Sequence, residues 1–190
     1  RYAKEMGCHI KLLGVAKNTK EGVHVSVHPM LIDSRHPLAS VNDSFNAVFI
    51  LGDAVGETML YGRGAGELPT ASAIVGDIFD VARNMRVGSS ARISCTCYKE
   101  LPIRRVADGI SKFFMRIRVE DRPGVLASVT SVFGNNNVSI EQFIQKRKDG
   151  DLAEIVIITE EVVEHNFNDA VTILRTMDMI KQICAVIRVY

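Results

Sequence analysis

The chain has 190 residues, of which 47% are hydrophobic and 24% charged, and its formal net charge at pH 7 is +1. This composition is typical of globular protein and is sufficient for one sizeable core or two small ones. Nucleic-acid binding is excluded because it needs a dense stripe of Lys and Arg, and the sequence contains none. Membrane insertion is excluded because no apolar run approaches the ~18 residues that a spanning helix needs.

The chain starts with RYAKEMG, which predicts the end of a helix terminated by Gly7. It has no initiator Met and no apolar leader, so we expect a part of a longer protein. Residues 9–17 and 22–31 predict two strands joined by a polar turn. In the second strand, valines alternate with His24, Ser26 and His28, which predicts one face on a core and one wetter face. We expect His24 and His28 to be surface histidines and not metal ligands.

The next elements are a short helix in HPLASV (residues 36–41) and a hairpin of strands 46–51 and 56–61. Together with the first two strands they predict a largely antiparallel sheet backed by helices.

A glycine-rich turn then runs into an amphipathic helix, in YGRGAGELPTASAIVGDIFDVAR (residues 61–83). The turn glycines leave bare backbone beside the helix start, where free N–H groups favour an anion, and Pro69 suits the first helical turn. One buried helical face is predicted from apolar residues at three- and four-residue steps, namely Ala71, Ile74, Ile78, Val81, Ala82 and Met85. The spacing does not fit the dinucleotide fingerprint G-x-G-x-x-G. From the spacing alone, two roles of the glycine turn remain possible: it closes a strand onto a packing helix, or it contacts a cofactor.

Several segments resemble the carboxy-terminal half of homoserine dehydrogenases, namely IKLLGVAK, HPLASV, FNAVFILGDAVGETMLYG and YGRGAGELPTASAIVGD. The resemblance covers about residues 1–90. It implies that the turn closes over NADP or NAD bound to an amino-terminal Rossmann domain. The cofactor-binding residues implied in this way are Gly62, Gly64, Ala65, Gly66, Pro69 and Thr70.

The resemblance also implies that the catalytic lysine and acidic residues lie upstream of this chain. Lys4 and Lys11 do not fall in the family's catalytic motif, so no catalytic residue is assigned here. We expect the chain alone to be inactive and to hold no cofactor.

Residues 87–112 are predicted to be a linker between two domains, residues 1–86 and residues 113–190, with a strand-like stretch at residues 91–98. The resemblance implies that residues 1–86 are the carboxy-terminal part of the family's substrate and dimerisation domain. The four cysteines, Cys8, Cys95, Cys97 and Cys184, fit neither a zinc nor a redox spacing. We expect free thiols, no metal and a reducing cytoplasm.

The pattern after residue 112 predicts the order βαββαβ of a ferredoxin-like plan, so the fold class is α+β. Its first half, FMRIRVEDRPGVLASVTSVFGNNNVSIEQFIQK (residues 114–146), resembles an ACT domain, a regulatory module that often binds amino acids. In the turn, Pro123 is expected at the first helical position and Gly124 keeps the backbone open for a carboxylate. The predicted effector-binding residues are Asp121, Arg122, Pro123, Gly124, Val125, Leu126, Asn137, Ile140 and Gln145.

Asn137 is expected to act across a module interface, and the alternative is a well-formed turn that binds nothing. Because such a module exposes a sheet edge and an open sheet face, we expect a homodimer or higher oligomer.

The resemblances together imply the carboxy-terminal portion of an NAD(P)-dependent enzyme that interconverts aspartate 4-semialdehyde and L-homoserine. This reaction lies on the route to threonine, methionine and isoleucine, and L-threonine is the expected effector. The alternative is a non-enzymatic amino-acid sensor whose first 90 residues form a dimerising platform.

Overall fold

The computed structural model describes residues 2–89 and 97–190, without the side chains of residues 146–149. The helices are α1 (Tyr2–Glu5), α2 (Glu67–Arg86), α3 (Val125–Asn135) and α4 (Glu164–Thr176), with short 3-10 turns at Pro37–Ser40 and Val106–Asp108. The strands are β1 (Cys8–Thr19), β2 (Gly22–Asp33), β3 (Phe45–Gly52), β4 (Gly56–Arg63), β5 (Ile110–Glu120), β6 (Ile140–Asp149), β7 (Leu152–Thr159), β8 (Val162–Val163) and β9 (Ile180–Val189). None of the helices in these residues is long and apolar enough to cross a membrane.

The chain forms two compact units, one of Arg1–Asp33 with Leu101–Tyr190 and one of Ser34–Glu100. The first unit holds a seven-stranded sheet in the order β1-β2-β9-β5-β7-β6, with β8 paired to β5. The second holds the two-stranded sheet β3-β4. This grouping differs from the predicted division at residues 86 and 113, because the β1-β2 hairpin joins the sheet of the carboxy-terminal part.

Within the first unit, strands β5, β6, β7 and β9 with helices α3 and α4 form the predicted ferredoxin-like βαββαβ order, and the predicted α+β class is confirmed. Alternate residues of β5 and β7 point to the helices, as a strand's period of two requires. Both helices contribute to one hydrophobic core, in which the Phe113 and Phe167 rings stack with their centroids 3.9 Å apart.

The hairpin of β1 and β2 extends this sheet. β2 runs parallel to β9 in the register Met30 opposite Arg188 and Leu31 opposite Val189, and the N–H of Tyr190 donates to the carbonyl of Leu31 at 2.8 Å. Leu31 is 1% exposed in a second apolar cluster, on the sheet face that α1 packs against. Gly7, at φ 66, ends α1 as predicted.

The histidine face of β2 is turned inward, so the prediction of surface histidines is wrong for His24. Its side chain is 8% exposed and lies so near Gly109 that a Cβ there would be 2.4 Å from its Cε1. His28 is half-buried. The exposed residues of the strand are Val25 (45%), Val27 (63%) and Pro29.

In the second unit, α2 has no buried residue, so the prediction of a buried helical face is wrong for the chain as described. Ile74 is 54% exposed, Ile78 61% and Met85 74%. Among residues 34–89 and 97–100, neither the β3-β4 hairpin nor the 3-10 turn at Pro37–Ser40 buries the apolar stripe of the helix. The predicted single sheet for residues 1–86 is likewise replaced by two separate sheets.

Candidate functional site

A surface pocket of about 370 Å³ lies where β5 ends and α3 begins. It contains most of the predicted effector residues from the turn together with Gln145 of β6. The lining residues are Val119, Glu120, Asp121, Arg122, Pro123, Val125, Leu126, Gln145 and Ala153. The sequence-based prediction therefore identified residues that the fold does bring together.

Gly124 shapes the turn at this pocket. It adopts φ 89 in the left-handed region and caps α3, and a Cβ at this position would meet nothing within 4 Å. The helix thus begins at Val125, and the prediction that Pro123 is the first helical residue is wrong, because a left-handed residue cannot lie inside a right-handed helix. No side chain caps the helix start. The N–H of Val125 donates to the carbonyl of Arg122 at 3.4 Å, so the N–H groups of Leu126 and Ala127 are the ones that can face an anion.

Backbone hydrogen bonds fix the approach to the turn. The N–H of Asp121 donates to the carbonyl of Asp151 at 2.8 Å, and the N–H of Glu120 donates to the carbonyl of Met179 at 3.0 Å. The turn is therefore held from both sides, by the β6-β7 connection and by the segment before β9. A rigidly held turn keeps its N–H groups in place before a ligand arrives.

The pocket carries a carboxylate between two cations. Glu120 accepts a hydrogen bond from Arg122 Nε at 2.6 Å on Oε2, and Lys181 Nζ lies 2.6 Å from its Oε1. Lys181 and then Arg122 hold the pKa of the Glu120 carboxyl below its ordinary value, so this group is ionised at neutral pH.

Sequence reasoning missed Glu120 and Lys181. Glu120 ends a strand whose alternation predicts only a solvated side chain there. Lys181 lies in β9, far along the chain, and only the pairing of β5 with β9 brings the two together.

Asn137 and Ile140 do not line this pocket. Asn137 follows the other end of α3, with φ 56 and its N–H donating to the carbonyl of Gly134 at 3.1 Å. Since an α-helix rises 1.5 Å per residue, the length of α3 separates Asn137 from the turn by about 16 Å. A role for Asn137 across a module interface stays a prediction.

The glycine turn of the second unit is well ordered by local contacts. The N–H of Gly64 donates to the carbonyl of Ser44 at 3.1 Å. A Cβ on Gly64 would lie 1.6 Å from Asn46 Nδ2, so any other residue there would have to displace the Asn46 side chain. Gly66 has φ 122 and caps α2 without a side-chain hydrogen bond.

The other residues predicted to bind cofactor lie at the same exposed turn. A Cβ on Gly62 would meet nothing within 4 Å, and Pro69 lies in the first turn of α2 as predicted. The side chains of Ala65 and Thr70 are exposed. This leaves bare backbone beside an uncapped helix start, an arrangement that suits a phosphate.

Among residues 2–89 and 97–190, no group of three or more His, Cys, Asp and Glu side chains could hold a metal ion. Cys8 and Cys184 are half-buried free thiols and Cys97 is an exposed one. Cys95 and most of the predicted strand at residues 91–98 lie outside the described residues.

Comparisons with known proteins place both halves of the chain in characterised families. A family model for homoserine dehydrogenase matches residues 1–79, and one for the ACT domain matches residues 114–177. Over 99% of its length the chain is 37% identical to the homoserine dehydrogenase of Bacillus subtilis and 38% identical to that of Neisseria gonorrhoeae, covering 44% and 45% of those proteins.

Solved structures agree with these matches. A homoserine dehydrogenase from Thiobacillus denitrificans superimposes over 100% of this chain and 44% of its own, with a TM-score of 0.90 and 35% identity. One from S. aureus gives a TM-score of 0.61 at 28% identity and covers the whole chain. The chain thus spans less than half the length of the relatives it matches.

Proposed function

Because the chain belongs to the homoserine dehydrogenase family and matches its carboxy-terminal region, we propose that it is the carboxy-terminal portion of an enzyme that interconverts L-aspartate 4-semialdehyde and L-homoserine with NADP or NAD. This portion comprises the second part of the substrate and dimerisation domain and an ACT regulatory domain. Its ACT domain senses an amino acid that feeds back on this reaction. The observation that carries the proposal is the pocket at the β5-α3 turn, which gathers Arg122, Leu126 and Gln145 around an uncapped helix start.

The effector we propose is L-threonine. An α-amino acid carries a carboxylate and an ammonium, and this pocket offers both charge signs together with free helix N–H groups. Its volume of about 370 Å³ lies at the small end of the range for ligand sites, as a small amino acid requires. Threonine is also an end product of the pathway that the family serves.

The glycine turn is proposed to meet the cofactor. Gly64 and Gly66 would offer their backbone to the cofactor, and the N–H groups at the start of α2 would suit a phosphate of NADP or NAD. The bound nicotinamide supplies the hydride exchange. The 190 residues contain no G-x-G-x-x-G, so we expect this chain alone neither to hold the cofactor nor to catalyse.

We also propose a cytoplasmic homodimer or higher oligomer. The edge strand β6 has an unpaired side that a second copy can extend, and the apolar stripe of α2 is exposed. The competing proposal, a non-enzymatic sensor on a dimerising platform, uses the same surfaces. A dinucleotide-binding strand, glycine loop and helix in the sequence before Arg1 would decide for the enzyme.

Titration calorimetry of the chain with L-threonine tests the sensor. We expect saturable heat with threonine and none with isoleucine, methionine or lysine. Gly124→Asp should abolish it, because a side chain at φ 89 strains the turn and places a carboxylate where the ligand's carboxylate binds.

Gly88→Asp is the matched control, since Gly88 also has positive φ (69) and open space around its Cβ but lies after α2. Binding by this variant should be unchanged. Absence of heat with every amino acid on the unaltered chain would refute the sensor.

A further inference from the structure

We infer that Glu120 and Arg122 recognise the two charged ends of a zwitterionic amino acid, Glu120 binding the ammonium and Arg122 the carboxylate, while Lys181 positions Glu120. This inference rests on the proposed effector function of the pocket and names the residues that select its ligand class.

The two proposed recognition residues, Glu120 and Arg122, both line the pocket. They are joined through a single hydrogen bond from Arg122 Nε. A guanidinium has five N–H donors in a planar fork, so Arg122 retains donors for a carboxylate while it stays paired. The Arg122 side chain is 58% exposed and the Glu120 side chain 29%, so a ligand in the pocket can reach both.

Lys181 reaches Glu120 because of an irregularity in the sheet. Along β5 and β9, Arg118 pairs with Gln182 and Val119 pairs with Ile180, so Lys181 is an extra residue without a partner in the ladder. Such a bulge changes the direction of a side chain and is frequent beside functional sites. Here it leaves Lys181 Nζ at 2.6 Å from Glu120 Oε1.

Lys181 is a positioning residue and not a ligand contact. It does not line the pocket, and its Nζ also donates to the carbonyl of Asp178 at 2.8 Å. These two contacts fix the ammonium behind Glu120, which restricts the carboxylate and leaves Oε2 on the side of Arg122. The other lining residues are mostly apolar, namely Val119, Pro123, Val125, Leu126 and Ala153, with Asp121 and Gln145 as the remaining polar ones.

The test compares dissociation constants of three probes on the whole chain by calorimetry. L-Threonine has both charges, 3-hydroxybutanoate lacks the ammonium, and L-threoninamide lacks the carboxylate. Since hydrogen bonds to charged groups are stronger than neutral ones, we expect each analogue to bind about tenfold or more weakly than threonine. Glu120→Gln should weaken the binding of threonine by about the same factor and leave the dissociation constant of 3-hydroxybutanoate unchanged.

Glu141→Gln is the matched control. Its carboxylate pairs with Lys112 Nζ at 2.6 Å and is about as exposed (35%), but it lies outside this pocket. Threonine binding by this variant should equal that of the unaltered chain.

The positioning role of Lys181 has its own readout. Lys181→Gln should weaken threonine binding, and Lys181→Arg should restore it. With Lys181 absent, the pKa of Glu120 rises toward its ordinary value, because only Arg122 remains to oppose protonation and partial burial favours it. The acid-side loss of threonine binding should therefore move to higher pH, a shift that a structural role alone would not produce.

Each outcome is decisive. No binding of any amino acid by the unaltered chain refutes the proposed effector function itself. If threonine binds and Glu120→Gln binds it equally well, the effector function stands and the inference fails. The inference also fails if Glu120→Gln weakens the binding of threonine and the binding of 3-hydroxybutanoate by the same factor. Thermal melting of each variant separates these results from unfolding.

Discussion

At the scale of single residues, the buried carboxylate of Glu164 has the largest expected effect on stability. It is 2% exposed, accepts from Arg188 Nε at 2.7 Å and Nη2 at 2.5 Å, and accepts from Ser111 Oγ at 3.3 Å. The pair joins the start of α4 to β9.

Glu164→Gln should lower the free energy of unfolding by about 3 kcal/mol, because it leaves the half-buried guanidinium of Arg188 (21% exposed) without its counter-charge. Chemical denaturation measures this. Asp108→Asn is the control, since it breaks the exposed Arg105–Asp108 pair at 2.9 Å. Its melting temperature should hardly change, because exposed pairs contribute little. Equal effects of the two substitutions would contradict this assignment.

His28 makes a second residue-scale prediction, about pH. Burial lowers the pKa of its imidazole below the ordinary value, and Arg188 and His24 lower it further, while Glu164 opposes them. As pH falls, the unfolded chain takes up a proton on His28 at a higher pH than the folded chain does, and this favours unfolding. The contribution of neutral His28 to the free energy of unfolding is therefore complete above the unfolded pKa of ~6.5 and decreases as pH falls below that value.

The melting temperature should therefore fall as pH is lowered from about 7 to 5, and His28→Asn should make that decline shallower. His36→Asn serves as the comparison, since His36 belongs to the other compact unit. An identical slope in the unaltered chain and in His28→Asn would show that His28 is not the titrating group.

At the scale of elements, the β1-β2 hairpin is held at two ends. Near its turn, the N–H of Val23 donates to the carbonyl of Pro102 at 2.8 Å and the N–H of Arg104 donates to the carbonyl of Val23 at 2.9 Å. At the other end its parallel pairing with β9 covers two residue pairs, so the apolar contacts of Leu31 carry much of the stabilisation there. Leu31→Ala should cost about 2–5 kcal/mol in the free energy of unfolding.

Leu12→Ala is the matched variant, since Leu12 belongs to the same hairpin but is 72% exposed. We expect the amides of β2 to exchange with solvent faster in Leu31→Ala than in Leu12→Ala. Unchanged exchange at Leu31→Ala would show that the hairpin is held by other contacts.

The secondary-structure elements also show which parts of the fold can be predicted from the sequence. Strict alternation in β5 and helical spacing in α3 and α4 predict the ferredoxin-like order, because period and burial agree there. The start of α3 is predicted at Pro123 because proline suits a first turn, but the left-handed Gly124 moves it to Val125. Burial of His24 and the pairing of Glu120 with Lys181 depend on contacts distant in sequence, which no local pattern encodes.

At the scale of the whole molecule, the exposed apolar stripe of α2 predicts association. A soluble chain rarely leaves a long apolar stripe in water, so we expect Ile74 and Ile78 to be covered in an oligomer. The double change Ile74→Glu with Ile78→Glu should lower the sedimenting mass at a given concentration.

Asp77→Asn, on the same helix and also exposed, should leave the mass unchanged. A strict monomer for the unaltered chain at all concentrations would contradict the association.

The pocket at the β5-α3 turn is the centre of the functional account, and nuclear magnetic resonance tests it most directly. Backbone amide spectra of the chain would be recorded during titration with L-threonine. We predict saturable shifts at the amides of residues 120–122 and 124–127, at Gln145 and at Lys181, with little change at the amides of β3 and β4. Saturable shifts confined to other residues would place the effector site elsewhere, and no shifts at all would contradict an amino-acid sensor.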